Sequence, residues 1–183
     1  MDQIHESLYR NVQITFQYAE WTVQKELRLK KEGALYKVSP WALTWDDENY
    51  YLIAYEEDNG IRHYRVDKMK SIEIMDEFRL EESGYREFDP AIYSNKVFGM
   101  YGGELSTVTL AFPEHLTGVM LDRFGKEVIL RKDTTGYSIR TDIVISDHFF
   151  GWLAGLGKSV KIVSPDDIRQ QYKQYLSDIL EDI

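Results

Sequence analysis

The chain has 183 residues, of which 43% are apolar and 29% are charged, a composition typical of a globular protein with one or two domains. It contains no cysteine, which excludes disulfides, thiolate metal sites and a cysteine nucleophile, and which fits a reducing cytoplasm. Its formal net charge of −9 disfavours nonspecific binding to nucleic acid, because phosphate contacts need clustered Lys and Arg side chains.

The N-terminal part of the chain reads as one helix followed by short strands. Asp2 to Arg10 has the apolar spacing of a short amphipathic helix, and strict alternation from Val12 to Tyr18 predicts a half-buried strand. Two later strands, Tyr50 to Tyr55 and Ile61 to Met69, flank Asn59-Gly60, a dipeptide that favours a tight hairpin turn. With about six short antiparallel strands, this part predicts a small barrel, since closure removes exposed sheet edges.

The C-terminal part predicts a different order of strands and helices. Residues 77–104 are acidic at first and rich in glycine later, and we interpret them as a linker. Residues 105–183 predict the order βαββαβ, which is that of a ferredoxin-like split unit, followed by a last helix. The two middle strands are expected at residues 127–131 and 137–146, and Ser146 or Asp147 is expected to cap the helix that follows them. The predicted fold class is therefore α+β, with a barrel over residues 1–76.

The returning strand of the hairpin carries charges where a strand inside a sheet should bury apolar residues. If Asn59-Gly60 forms a two-residue turn, Ala54 lies opposite Arg65 and Tyr51 lies opposite Lys68. A slip of one residue in this pairing would exchange the two faces of the strand.

Arg65, Lys68 and Tyr51 are the chief candidates for a groove that binds an anionic ligand. Arg offers a planar fork for phosphate, Lys a point charge, and Tyr a hydroxyl and a stacking face. Ser39 would add a hydroxyl from the neighbouring strand. The alternative is that Arg65 pairs with Asp67 or another carboxylate and that the tyrosines belong to the core.

His63 shares one face of the strand with Arg65 and Asp67 by alternation, so His63 and Asp67 join the candidate residues. The alternative for His63 is a packed or exposed histidine with no function. No second histidine or carboxylate stands near His63 at the spacing of metal ligands. The chain also offers no nucleophile–base pair and no glycine-rich phosphate loop. We therefore expect no metal site, no cofactor and no enzymatic activity.

Three stretches resemble, in order and spacing, the WYL domain, a family named for its Trp-Tyr-Leu triplet. Tyr51 and Leu52 match that triplet, whereas Tyr50 replaces its Trp. Residues 105–183 resemble the C-terminal extension, WCX, that usually follows a WYL domain. The stretches that carry the two resemblances are Val38 to Leu43, Tyr50 to Leu52, His63 to Met69, Phe149 to Trp152 and Val160 to Pro165.

The resemblance implies an Sm-like or SH3-like barrel and a ferredoxin-like extension. WYL domains usually follow a winged helix-turn-helix in bacterial transcription regulators, and they are thought to sense a ligand, often a nucleotide or nucleic acid. The present sequence shows no helix-turn-helix, so DNA contact is expected only through such a domain elsewhere. We expect a cytoplasmic, homodimeric sensing module without membrane contact, which binds a nucleotide or single-stranded nucleic acid. The alternative is a structural or dimerisation module with no ligand of its own.

Overall fold

The structure is a computed structural model, and it describes residues 1–80, 88–134 and 136–181. The chain divides into two compact units, Met1–Ala91 and Ile92–Ile183. The first unit contains α1 (Asp2–Arg10), β1 (Val12–Trp21), β2 (Leu27–Leu29), β3 (Leu35–Asp46), β4 (Asn49–Glu56), β5 (Gly60–Arg65) and β6 (Met69–Phe78). A short helix, α2 (Pro90–Lys96), begins at the boundary, and the second unit continues with β7 (Glu104–Phe112), α3 (Thr117–Phe124), β8 (Arg131–Asp133), β9 (Gly136–Ile145), α4 (Asp147–Gly155), β10 (Lys161–Ser164) and α5 (Asp166–Glu181).

Strand β1 is the centre of the six-stranded antiparallel sheet of the first unit. It pairs with β3 and with β6, so that Ile14 has Val38 and Ile74 as its partners. Strands β4 and β5 extend the sheet beyond β3, and β2 pairs with the end of β1. Pro40 lies inside β3 beside a register shift, which is where a strand accommodates a residue that lacks an N–H donor.

The predicted closed barrel is wrong. Among the described residues no ladder joins β5 to β6, and the sheet ends at β5. The chain passes from β5 to β6 through the single 3₁₀ turn Val66–Lys68, and β6 then pairs with β1 rather than with β5. Closure would need a ladder between β5 and β6, whereas the partner that β6 does pair with, β1, is distant in sequence, and no local pattern encodes that choice.

The core of the first unit is built around an aromatic cluster of Phe16, Tyr18, Tyr36 and Tyr64. Phe16 stacks on Tyr36 with ring centroids 5.5 Å apart, and the edge of Tyr64 meets Phe16 at 5.0 Å. Such pairs add about 0.5–1.5 kcal/mol each beyond the burial of their surface. The Tyr64 hydroxyl donates a hydrogen bond to Glu56 at the far end of β4.

The second unit is a four-stranded antiparallel sheet with helices, in the strand order β10-β7-β9-β8. The order β7-α3-β8-β9-α4-β10 agrees with the predicted βαββαβ sequence of elements. Of the two predicted candidates, Ser146 caps α4, since its hydroxyl accepts a hydrogen bond from the backbone N–H of Phe149 at 3.3 Å. The strand expected at residues 127–131 begins only at Arg131, because the β8–β9 ladder starts with the pair Arg131–Ser138.

Two rows of apolar side chains from β7 and β9 point to the same side of the second sheet and form its core with α3 and α4. Val108 and Leu110 are fully buried, and Ile139 lies directly opposite Leu110. The alternating residues of β9, including Arg140 and Asp142, therefore lie on the other face of the sheet. None of the helices within the described residues is long and apolar enough to cross a membrane.

Candidate functional site

The β4–β5 hairpin determines which candidate residues meet. Glu56 pairs with Gly60, so the loop has three residues rather than the two predicted from Asn59-Gly60. Gly60 adopts a φ of +70°, and the Asn59 side-chain amide donates to the Glu56 carboxylate at 2.7 Å. The left-handed glycine and this hydrogen bond favour the longer loop. The predicted partner of Arg65, Ala54, instead faces Arg62.

The corrected register places Tyr51 directly opposite Arg65. Directly opposed residues of an antiparallel pair have Cβ atoms about 4.5–5.5 Å apart, so the half-buried Tyr51 ring and the Arg65 side chain are neighbours. His63 pairs with Ile53 and shares the face of Arg65 by alternation, as predicted. The prediction that Tyr51 faces Lys68 is wrong, because Lys68 belongs to the 3₁₀ turn after β5.

Arg65 forms a two-point ion pair with Asp67. Its Nε lies 3.1 Å from Asp67 Oδ1, and an Nη lies 2.9 Å from Oδ2. These hydrogen bonds hold the pKa of the Asp67 carboxyl below its ordinary value and raise the pKa of Arg65. The alternative in which Arg65 pairs with Asp67 thus describes the structure. The pair uses only one edge of the guanidinium, and the remaining N–H groups make no hydrogen bond to the described residues.

Tyr18 is a member of the site that the sequence did not reveal. Its hydroxyl accepts a hydrogen bond from the backbone N–H of Arg65 at 3.0 Å. Burial raises the pKa of Tyr18, and the hydrogen bond from Arg65 partly opposes that rise. Alternation along β1 predicts that Tyr18 faces inward, but the partner lies 47 residues away and no local pattern identifies it.

Two lysines add positive charge around the ion pair. Lys68 follows Asp67 in the same 3₁₀ turn, and its charge contributes to the lowered pKa of Asp67. Lys70 donates to the backbone carbonyl of Asp67 at 3.4 Å. Arg65 and Lys68 therefore act on one carboxylate, and Lys70 contacts the backbone of the same residue, in a chain whose net charge is −9. We call the group of Tyr18, Tyr51, Arg65, Asp67 and Lys68 the Arg65 cluster.

Ser39 lies apart from the Arg65 cluster. It pairs with Tyr55, four residues along β4 from Tyr51, which corresponds to about 13 Å of strand. Its buried hydroxyl accepts hydrogen bonds from the Leu80 backbone N–H at 2.8 Å and from the Gln13 amide at 3.2 Å. Ser39 lines a separate groove of about 490 Å³ that has several acidic side chains, including Glu56. Its hydroxyl therefore anchors the chain after β6 in this structure.

Comparison with known families matches the WYL domain over residues 1–74 and the WCX domain over residues 104–180. No curated protein matches the chain. Among solved structures, proteasome accessory factor B/C (PafBC) of Arthrobacter aurescens is similar with 18% identity and a TM-score of 0.40, and the match covers 96% of this chain and 26% of that one. A CRISPR Cas-related protein is similar with 15% identity and a TM-score of 0.49, over 99% of this chain and 50% of that one.

The chain thus spans about a quarter of the first solved structure and half of the second. The two family matches follow one another along the chain and together cover most of its length. The chain belongs to the WYL-domain family and consists of a WYL domain followed by a WCX domain.

Proposed function

We propose that this chain is the ligand-sensing regulatory module of a WYL-domain transcription regulator. Its ligand is a nucleotide or a single-stranded nucleic acid, and the ligand's phosphate binds at the Arg65 cluster. The observation that carries the proposal is the geometry of Arg65, whose guanidinium is held on one edge by Asp67 and is open on the other. Contact with operator DNA belongs to a winged helix-turn-helix domain outside this chain.

The Asp67 pair orients the Arg65 side chain without neutralising the site. Exposed ion pairs contribute only about 0–1 kcal/mol, and the side chains of Arg65 and Asp67 are 30% and 53% exposed. The open edge of a guanidinium matches two oxygens of a phosphate, and such charge-assisted bonds are about twice as strong as neutral ones. Arg65 is therefore arranged in advance to receive an anion.

Two neighbours complete the proposed ligand contacts. Tyr51 lies opposite Arg65 and is half-buried, so the base of a nucleotide whose phosphate is bound at Arg65 would lie beside its ring. Lys68 supplies a second cation three residues beyond the end of β5, within reach of a second phosphate. A phosphate, a base and a second phosphate are the parts that distinguish a nucleotide or an oligonucleotide from a simple anion.

The test is a binding titration by fluorescence anisotropy with a labelled oligothymidylate, in competition with unlabelled nucleotides. Arg65→Ala should weaken binding about 10- to 100-fold, since hydrogen bonds to charged groups contribute about 1.5–3 kcal/mol and each 1.4 kcal/mol is a factor of ten. Arg65→Lys keeps the charge but loses the fork, so it should give an intermediate loss.

Arg62→Ala is the matched control, because Arg62 lies in the same strand on the opposite face and is exposed. Its binding should equal that of the wild type. Equal binding by Arg65→Ala and the wild type would refute the assignment of the site. If neither nucleotides nor the oligonucleotide bind the wild type, the chain is better described as a structural or dimerisation module.

A further inference from the structure

The second unit contains a groove of about 690 Å³ between helix α2 and strand β9, which we call the α2–β9 groove. Its size falls in the range of small-molecule sites, about 300–1,000 Å³. Most of its lining comes from α2, from the segment between α3 and β8, and from β9. All of its lining residues lie within the second unit, so it is separate from the Arg65 cluster.

Two arginines from neighbouring strands line this groove. Arg131 in β8 pairs with Ser138, and Arg140 lies two residues further along β9 on the same face. Diagonal neighbours on one face of a sheet are about 7–8 Å apart, a distance that two long guanidinium side chains readily span. Both arginines are exposed, and neither forms an ion pair with a residue that the structure describes. Two like charges at this spacing repel one another unless an anion lies between them.

Asp142, a carboxylate on the same face of β9 as Arg140, is already engaged elsewhere. Asp142 accepts hydrogen bonds from the Thr107 hydroxyl at 2.7 Å and from Lys96 Nζ at 3.1 Å. These bonds hold the pKa of Asp142 below its ordinary value, and the charge of Arg140 adds to the effect. Asp142 is thus ionised and held toward Lys96, so it leaves the two guanidinium groups to other partners.

Glu127 is the other carboxylate in the lining and is exposed at the surface. The lining therefore holds three cations and two carboxylates, and it is net positive in a strongly acidic chain. A carboxylate such as Glu127 accepts hydrogen bonds from hydroxyl groups, as acidic residues do for ribose in dinucleotide sites. The mixture suits a ligand that carries both an anionic group and hydroxyl donors.

Several apolar residues also line the groove. Ile129 is 71% exposed, although isoleucine is among the residue types most often buried, and it lies beside Val128 and Phe124 in the same groove. An exposed apolar wall next to two arginines offers a surface for a flat ring and a place for its attached anion.

From this juxtaposition we propose that the α2–β9 groove is a second ligand site, which takes a small phosphorylated molecule with a ring and hydroxyl groups, such as a nucleoside monophosphate. Arg131 and Arg140 bind its phosphate, Glu127 accepts from its hydroxyl groups, and Ile129 covers one face of its ring. This site is independent of the proposed function, because it uses none of the residues of the Arg65 cluster.

The test is a titration of the whole, ¹⁵N-labelled chain with adenosine monophosphate and, separately, with inorganic pyrophosphate, followed by NMR. Adenosine monophosphate should give saturable shifts at the amides of Arg131, Arg140 and Ile129. The double variant R131Q/R140Q should weaken binding at least tenfold. Lys132→Gln is the matched control, since Lys132 is the neighbouring cation of β8 on the opposite face, and it should bind as the wild type does.

Three outcomes would overturn the proposal. The first is no saturable shift in the wild type up to about 10 mM adenosine monophosphate, a concentration above the usual dissociation constants of metabolite sites. The second is binding that survives in the double variant while thermal melting shows that the variant is folded. The third is an equal response to pyrophosphate and adenosine monophosphate, which would remove the role of the apolar wall. Arg65→Ala should leave these shifts unchanged, so the two proposed sites can fail separately.

Discussion

The hydrogen bond from Tyr64 to Glu56 should stabilise the first unit measurably, and it can be removed without opening a cavity. Tyr64→Phe deletes the buried donor and keeps the ring that contacts Phe16, Tyr18 and Tyr36. Hydrogen bonds to charged groups contribute about 1.5–3 kcal/mol, and the Glu56 carboxylate is half-buried and can regain water, so we expect a loss of about 1.5–2 kcal/mol.

The assay is urea unfolding followed through the NMR cross-peaks of the first unit. Glu56→Gln keeps an oxygen acceptor but removes its charge, so in that background Tyr64→Phe should cost only about 0.5–1.5 kcal/mol. Tyr36→Phe is the control, because Tyr36 belongs to the same aromatic cluster and donates no hydrogen bond to the described residues. It should change the free energy of unfolding by less than about 0.5 kcal/mol. The reasoning would be refuted if Tyr64→Phe lowered the free energy of unfolding as little as the control does. It would also be refuted if Tyr64→Phe had the same effect in the wild type and in the Glu56→Gln variant.

Three further predictions concern the glycines of the second unit, its Lys96–Asp142 ion pair and the salt dependence of binding. Gly103→Ala should destabilise the second unit by more than about 2 kcal/mol in chemical unfolding, because the new Cβ would lie 1.9 Å from the Ile145 carbonyl oxygen. Gly118→Ala, whose Cβ meets nothing within 4 Å in α3, should instead stabilise it by up to about 1 kcal/mol. The folded-state pKa of Asp142 is depressed, so its contribution to stability is fully present above the ordinary carboxyl pKa. That contribution is lost as the pH falls through the lower, folded-state pKa. Asp142→Asn should therefore remove this part of the pH dependence of stability in acid unfolding. Single-stranded nucleic acid bound by Arg65 and Lys68 alone should show a slope of log K against log salt of about −1.4, and a slope near zero or several-fold steeper would contradict this two-cation contact.

The local parts of the fold followed from the sequence. The helix Asp2–Arg10 has the predicted bounds, because its apolar spacing is regular and Asn11 ends it in the left-handed conformation. Helix α4 is capped at one of the two predicted positions, Ser146, since a hydroxyl immediately before an apolar helical run satisfies an unpaired backbone N–H. These features depend on neighbours within a few residues.

The parts that could not be predicted depend on partners distant in sequence or on side-chain hydrogen bonds that change a local turn. The hairpin register was missed because the Asn59 side chain binds Glu56 and lengthens the loop, which the dipeptide rule does not include. The ion pair of Arg65 with Asp67 was foreseen as an alternative, since the two residues are close in sequence. Tyr18 was not foreseen, because its contact joins strands at opposite ends of the unit's sequence.

Because the sheet is open at β5, the arginines of this strand also affect how the protein associates with itself. Strand β5 ends the sheet in the described part of the chain, so its outer backbone N–H and C=O groups, apart from the Arg65 N–H that donates to Tyr18, are a template on which another strand could add. Arg62 and Arg65 place two positive charges on this six-residue strand, and a second copy lying alongside would bring like charges together. The residue that we assign to phosphate recognition therefore also disfavours edge-to-edge aggregation. Replacing it should raise the tendency of the protein to self-associate at high concentration, even in a buffer that contains no ligand.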